Sequence, residues 1–286
     1  RSSVRAGRVL GRGNGRIRPV ADRGRGPNDQ RIPAPLTYGD SIMAQVRVLD
    51  QRVTDRWSAY RGDCVEVVQG IPGDSIHYTV FSPPFASLYT YSNSPRDMGN
   101  CRGSEDFLQH FRFLVRELLR VTIPGRLLSF HCMLLPASKT RDGFIGLKDF
   151  RGDLIRLFVE EGWIHHSEVV IWKDPVTAMQ RTKALGLLHK TIRTNSSMSR
   201  QGIPDYLITM RKPGRCPDEE RVVHAAGGPS EEIPVRHWQR LASPVWSDID
   251  PGDTLQHRSA REHDDERHIC PLQLEVIRRA VRLWTN

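Results

Sequence analysis

From about residue 56 the chain alternates short runs rich in apolar, β-branched and aromatic residues with longer stretches whose apolar positions recur at helical spacing. The short runs, Trp57 to Tyr60, His77 to Phe81, Arg126 to His131, Ser167 to Trp172 and Tyr206 to Met210, predict strands. The longer stretches predict helices. Ser104 is a candidate cap for a helix with Glu105 and Asp106 in its first turn, then Phe107, Phe111, Leu114, Val115 and Leu118 on one face, and Pro124-Gly125 as its stop. A second helix sets Phe150, Leu154, Leu157 and Phe158 on one side and ends at Gly162. A third carries Pro271 in its first turn, aligns Leu272, Val276, Ala280 and Leu283, and turns Glu275, Arg278 and Arg282 to water. Strands and helices in alternation predict an α/β fold on a mainly parallel sheet.

Two stretches break the rhythm. Residues 173–200 hold Lys173, Arg181, Lys183, Lys190, Arg193 and Arg200 against Asp174 alone, a local charge of +5 among Thr, Ser and Asn. A basic loop of this kind suits either a run of phosphates or plain solvent. Residues 214–267 are polar and Pro-punctuated, which predicts a variable insertion with Trp238 and Trp246 as isolated anchors.

At 286 residues and 38% hydrophobic content, the chain can bury one substantial core. No apolar run reaches the length of about 18 residues that a membrane span needs, and the opening has no apolar centre, so a soluble, cytoplasmic protein is expected. Cys64, Cys101, Cys132, Cys216 and Cys270 are scattered, with no C-x-x-C pair; they read as reduced, mostly structural thiols. The net charge of +9 looks like a nucleic-acid signature until it is located: residues 1–35 hold nine arginines against two aspartates, leaving only +2 for the rest. Residues 1–55 are therefore expected to be a basic, largely disordered tail or linker, and 56–286 the folded part. An opening Arg in place of Met is compatible with a cut reading frame.

The chemistry concentrates at Ser82-Pro83-Pro84-Phe85, directly after the apolar run ending at Phe81. A small polar residue, two prolines and an aromatic there would form a stiff lip over the crevice where α/β sheets bind ligands. Such a lip suits an exocyclic amino group on a nucleobase, whose lone pair is delocalised into the ring. Ser82 and the Pro83 carbonyl could accept from both amino hydrogens and aim the lone pair at a methyl donor, while Phe85 stacks on a base rotated out of the duplex. Alone, the four residues serve equally well as a plain strand end.

A longer pattern surrounds them. Arg61-Gly62-Asp63-Cys64, Ile71-Pro72-Gly73-Asp74-Ser75 and the lip itself, then Pro124-Gly125-Arg126 through His131, Asp205-Tyr206 through Gly214, and His268-Ile269-Cys270-Pro271-Leu272, occur in one order over most of residues 57–286. This series resembles the permuted (beta-group) DNA amino-methyltransferases of bacteria and phages, in which the catalytic half precedes the cofactor half. The resemblance implies a three-layer Rossmann-like S-adenosylmethionine-dependent fold acting on double-stranded DNA, within a restriction-modification or phage context. It implies that Ser82, Pro83 and Phe85 hold the base, that Pro84 stiffens the lip, that Cys270, Pro271 and Leu272 wall the donor pocket, and that Lys183, Lys190 and Arg193 contact phosphates. The Gly-rich turn that the family places after this last helix would fall beyond Asn286, so the fold is expected to be incomplete on its C-terminal, cofactor side. Serine at the first lip position leans toward cytosine N4 over adenine N6. The competing expectations are a truncated non-catalytic DNA-binding remnant and an RNA or protein amide methyltransferase.

Other suggestive residues read as ordinary. His165 and His166 would point to opposite faces of a strand and cannot easily share an ion. His257, His263 and His268 with Asp264, Asp265 and Glu266 have no recognised ligand spacing, and no metal is expected. His131-Cys132 reads as core at a strand end, and Asp205-Tyr206 as either packing or the flank of the base pocket.

Overall fold

A computed structural model describes residues 48–86, 96–182, 189–217, 233–255 and 272–285, all within the compact unit Gly39–Asn286. A hairpin of β1 (Asp50–Val53) and β2 (Ser58–Arg61) comes first, followed by α1 (Cys64–Gln69), β3 (Ile76–Phe81) and α2 (Ser104–Val121). Next come β4 (Thr122–Met133), β5 (Leu135–Ala137), α3 (Lys139–Asp142), β6 (Gly146–Lys148) and α4 (Phe150–Glu160). The remainder is β7 (Ile164–Ile171), α5 (Pro175–Thr182), α6 (His189–Thr194), β8 (Asp205–Arg211), α7 (Val235–Leu241), β9 (Val245–Trp246) and α8 (Leu274–Trp284).

Five strands form one sheet in the order β3-β4-β8-β7-β9. Four of the five strands, β3, β4, β7 and β9, run in the same direction, as a mainly parallel sheet predicts, and the exception is β8, which runs antiparallel to both neighbours. The reason is where the chain turns. Ile171, at the end of β7, pairs with Asp205, at the start of β8, so residues 172–204 return to the end of the sheet they left.

Alternate side chains of these strands feed two cores. On one face Phe130, Cys132, Ile208 and Met210 pack under the apolar stripes of α2 and α4, where Phe107, Phe111, Val115, Leu154 and Phe158 are buried. Phe158 stacks on Phe130 with ring centroids 4.8 Å apart. On the other face Val169, Ile171, Leu207 and Trp246 pack with Val276 and Ala280 of α8, flanked by Tyr78 and Val80 of β3. Helices, sheet and helix thus make three layers. The helix α8 is tied down at its end, where Arg126 donates to the Trp284 carbonyl at 2.7 Å. A buried Arg279 anchors its middle, bonded to Asp248 at 2.8 and 2.9 Å and to Glu275 at 2.9 Å, with the guanidinium 5.3 Å from the Trp246 ring.

Local readings shift in several places. The run Trp57 to Tyr60 lies in the separate hairpin, and β1 falls inside the stretch read as tail, because its cross-strand partners are the residues of β2. Ser104 is the first helical residue of α2, and the capping position belongs to Gly103, which makes no side-chain cap bond. Pro124-Gly125 do not stop α2. The helix passes into β4 at Thr122, and the pair sits in the strand where the β3–β4 register slips between Thr122 and Leu127. Gly125 has φ +78°, and a Cβ there would stand 2.7 Å from the Cys216 nitrogen. The basic stretch 173–200 contains α5 and α6, and the insertion 214–267 contributes α7 and the edge strand β9. Trp246 is buried as an anchor should be, whereas Trp238 is exposed. The expected helix start at Pro271 lies outside the described residues, and α8 begins at Leu274 after Leu272 and Gln273.

Candidate active site

The lip emerges from the fold where the sequence puts it. Ser82 follows Phe81 at the carboxyl end of β3, and Phe81 pairs with Phe130 of β4, so Ser82 and His131 become neighbours. Ser82 Oγ lies 3.1 Å from His131 Nδ1. On its other side His131 Nε2 stands 2.9 Å from Asp205 Oδ2, a contact bent away from a linear hydrogen bond. Asp205 Oδ1 accepts from Lys173 Nζ at 2.6 Å. Four strand ends thereby set Ser, His, Asp and Lys in one row across the sheet.

The carboxylate of the row is held ionised by its neighbours. Burial pushes the Asp205 carboxyl up, but His131 and Lys173 more than offset this, and its pKa lies below the ordinary value. With its proton on Nε2, facing that carboxylate, the imidazole would offer Nδ1 as the acceptor for the Ser82 hydroxyl. Ser82 itself is exposed, whereas His131 and Asp205 are buried. The hydroxyl lone pairs therefore remain available to an N–H arriving from outside.

The rest of the lip is stiff. Pro83 is buried, and Ala86, also buried, holds φ +49°, a left-handed conformation unusual for a residue with a Cβ. Between them Phe85 is partly buried, its ring 5.8 Å from the His131 ring and 6.3 Å from Phe150. Tyr206 follows Asp205 on β8, with the Arg151 guanidinium 4.7 Å over its ring. Arg151 is held in turn by both Glu168 oxygens at 3.1 Å.

Other predicted site residues separate. Cys270, Pro271 and Lys183 lie outside the described residues, as do His257, His263 and His268. Leu272 packs partly buried against the core that holds α8 and β3, and the neighbouring Gln273 Oε1 is buried without a hydrogen-bond partner. Lys190 and Arg193 are exposed on α6, and His165 and His166 are exposed on β7. Among the described residues one group could approach a metal ion: Cys101, Asp106 and His110, with ligand atoms within 4.8 Å of one another. Asp106 and His110 already form an exposed i,i+4 pair at 3.4 Å, and Asp106 also accepts from the Arg102 nitrogen, so solvent and local partners satisfy them. Sequence reading missed His131 and Lys173. The available signal was weak: polar residues at strand ends, whose meeting depends on a register that no single strand encodes.

No protein-family model matches the chain, and no curated protein matches it. Solved structures do. A Thermus thermophilus protein assigned provisionally as a DNA modification methylase, in complex with S-adenosyl-L-methionine, superposes with TM-score 0.52 and 21% identity, over 78% of this chain and 72% of that one. A further crystal structure of the same protein gives TM-score 0.50 and 20% identity over 78% of this chain and 73% of that one. Among the described residues no helix is long and apolar enough to cross a membrane. With its mixed sheet between helical layers, the chain shares the Rossmann-like methyltransferase fold.

Proposed function

We propose that this chain is the catalytic, base-gripping part of an S-adenosylmethionine-dependent DNA methyltransferase acting on the exocyclic amino nitrogen of cytosine (N4) or adenine (N6). The observation that carries the reading is Ser82: exposed at the end of β3, backed by His131, and followed by two prolines and a partly buried aromatic. Its hydroxyl, with the Pro83 carbonyl as second acceptor, would hold two amino hydrogens and free a lone pair. Phe85 offers a surface for an extruded base, and Tyr206 a second aromatic nearby.

A serine–histidine–aspartate row also suggests acyl hydrolysis, but the lip argues against it. An oxyanion hole usually draws on the backbone N–H that follows the nucleophile, and Pro83 and Pro84 have none. Acceptors without donors suit an amine, not a carbonyl.

When bound, S-adenosylmethionine supplies an electrophilic sulfonium methyl group. The residues that fit it lie on the α8 side of the sheet: Leu272 gives apolar contact, and the partnerless Gln273 Oε1 is a buried acceptor for an amino group. Cys270 and Pro271 would extend that wall. Lys190 and Arg193, with Lys183 beside them in the sequence, would meet DNA phosphates in a bacterial or phage modification system. Serine at the first lip position favours cytosine N4.

The test is incubation of the full chain with methyl-labelled donor and duplex DNA, followed by digestion to nucleosides. Label in N4-methylcytosine or N6-methyladenine that disappears in Ser82→Ala is expected. Label only in RNA or protein would replace the substrate, and DNA binding without label would favour a non-catalytic remnant.

A further inference from the structure

Methylating an amine creates a proton problem that gripping the base does not solve. As the nitrogen–methyl bond forms and the donor's sulfur–carbon bond breaks, the nitrogen becomes cationic and must release an N–H proton. A serine hydroxyl is too weak a base to keep it. We propose that His131 accepts this proton through Ser82, and that Lys173 is a positioning residue that balances the charge of Asp205 so that the imidazole waits as an acceptor. The inference rests on the methyltransferase reading and extends it to the row behind the lip.

The step balances. The amine proton passes to Ser82 Oγ as the hydroxyl proton moves to His131 Nδ1, 3.1 Å away. The donor ends as a neutral thioether, the base as a neutral methylamine, and the positive charge rests on the imidazolium facing Asp205 Oδ2 at 2.9 Å. Solvent regains the proton through the exposed Ser82 once product has left.

Lys173 decides whether the relay is ready. A buried carboxylate with no other partner would favour imidazolium before substrate arrives. In that state Nδ1 carries a hydrogen and donates to Ser82, and the relay is blocked. The ammonium 2.6 Å from the other carboxylate oxygen offsets that bias while keeping Asp205 ionised. The surrounding groups leave this balance intact. Arg151 of α4 is paired with Glu168 of β7, and together with Asp149 at the start of α4 they act on Cys132, whose side chain lies on the opposite face of β4. Burial raises both the Cys132 thiol and the Tyr206 hydroxyl, so both remain neutral.

Imidazole NMR on the full chain, labelled with nitrogen-15, tests the inference without methyl transfer. In Lys173→Met the titration midpoint of His131 should rise, while Lys173→Arg should resemble the parent. In single-turnover methylation the acid limb of the pH profile should move with that midpoint. His131→Gln, checked for native circular dichroism, should slow the reaction by about 100-fold or more and lose that limb. An unchanged His131 midpoint in Lys173→Met overturns the inference and leaves the DNA methylation reading standing. So does an unaltered rate and profile in His131→Gln. A parent chain that labels no nucleic acid overturns the methylation reading, and the relay with it.

Discussion

In the proposed reaction Ser82 and Phe85 would hold a base in different ways, one by a directional bond and the other by a surface, so their substitutions should separate. Phe85→Ala removes a stacking face worth about 1–3 kcal/mol per base, and the affinity for duplex mispaired at the target should fall accordingly in a fluorescence titration. Phe85→Leu keeps the packing against Phe150 and should lose the stacking part alone. Asp205 supplies a residue-scale prediction about acid. Its folded-state pKa lies below the ordinary value, so its contribution to stability is complete above the unfolded pKa of roughly 3.9 and fades as pH falls through the folded one. Asp205→Asn should therefore show a shallower loss of stability below about pH 4 in urea titrations.

At the scale of elements, the two cores depend on different chemistry. The core under α2 and α4 is aromatic, with Phe158 touching Phe111, Phe130 and Trp163. Phe158→Ala should cost about 3–5 kcal/mol, readable as a lower urea midpoint with an unchanged slope. The opposite face relies on a charge. Arg279 is 1% exposed, and Asp248 holds it with two bonds. The Arg279 guanidinium, with Arg240 assisting against the cost of burial, lowers the Asp248 pKa to about 2. Asp248→Ala should destabilise the fold by about 1–3 kcal/mol, less than a fully buried pair because the Asp248 side chain is 38% exposed and screened. Arg279→Met, which removes the buried charge and keeps the volume, should cost less than Asp248→Ala. The reverse order would show that the pair stabilises through Coulomb attraction and not by avoiding an orphaned cation.

For the whole molecule, charge and topology would set how DNA is met under the proposed function. Most of the +9 lies in residues 1–35, so the folded part is nearly balanced and the proposed DNA contacts would come from local patches. Replacing Lys190 and Arg193 together by alanine should lower the slope of log affinity against log salt by about 2, and should leave the His131 titration unchanged. Much of this architecture can be read along the chain. The stripes of α2, α4 and α8, four of the five sheet strands and the lip are local patterns, and periodicity alone separates buried from wet positions within one element. Polarity at β8, the incorporation of β9 and the detachment of the β1–β2 hairpin are not local, because strand pairing is chosen between segments far apart in sequence. The same limit hid the active row. The sequence alone determined that a serine, two prolines and a phenylalanine would follow the end of a strand. Only tertiary structure brought His131, Asp205 and Lys173 behind that serine, because their meeting depends on the register of three further strands, and register is set by which faces the whole fold buries.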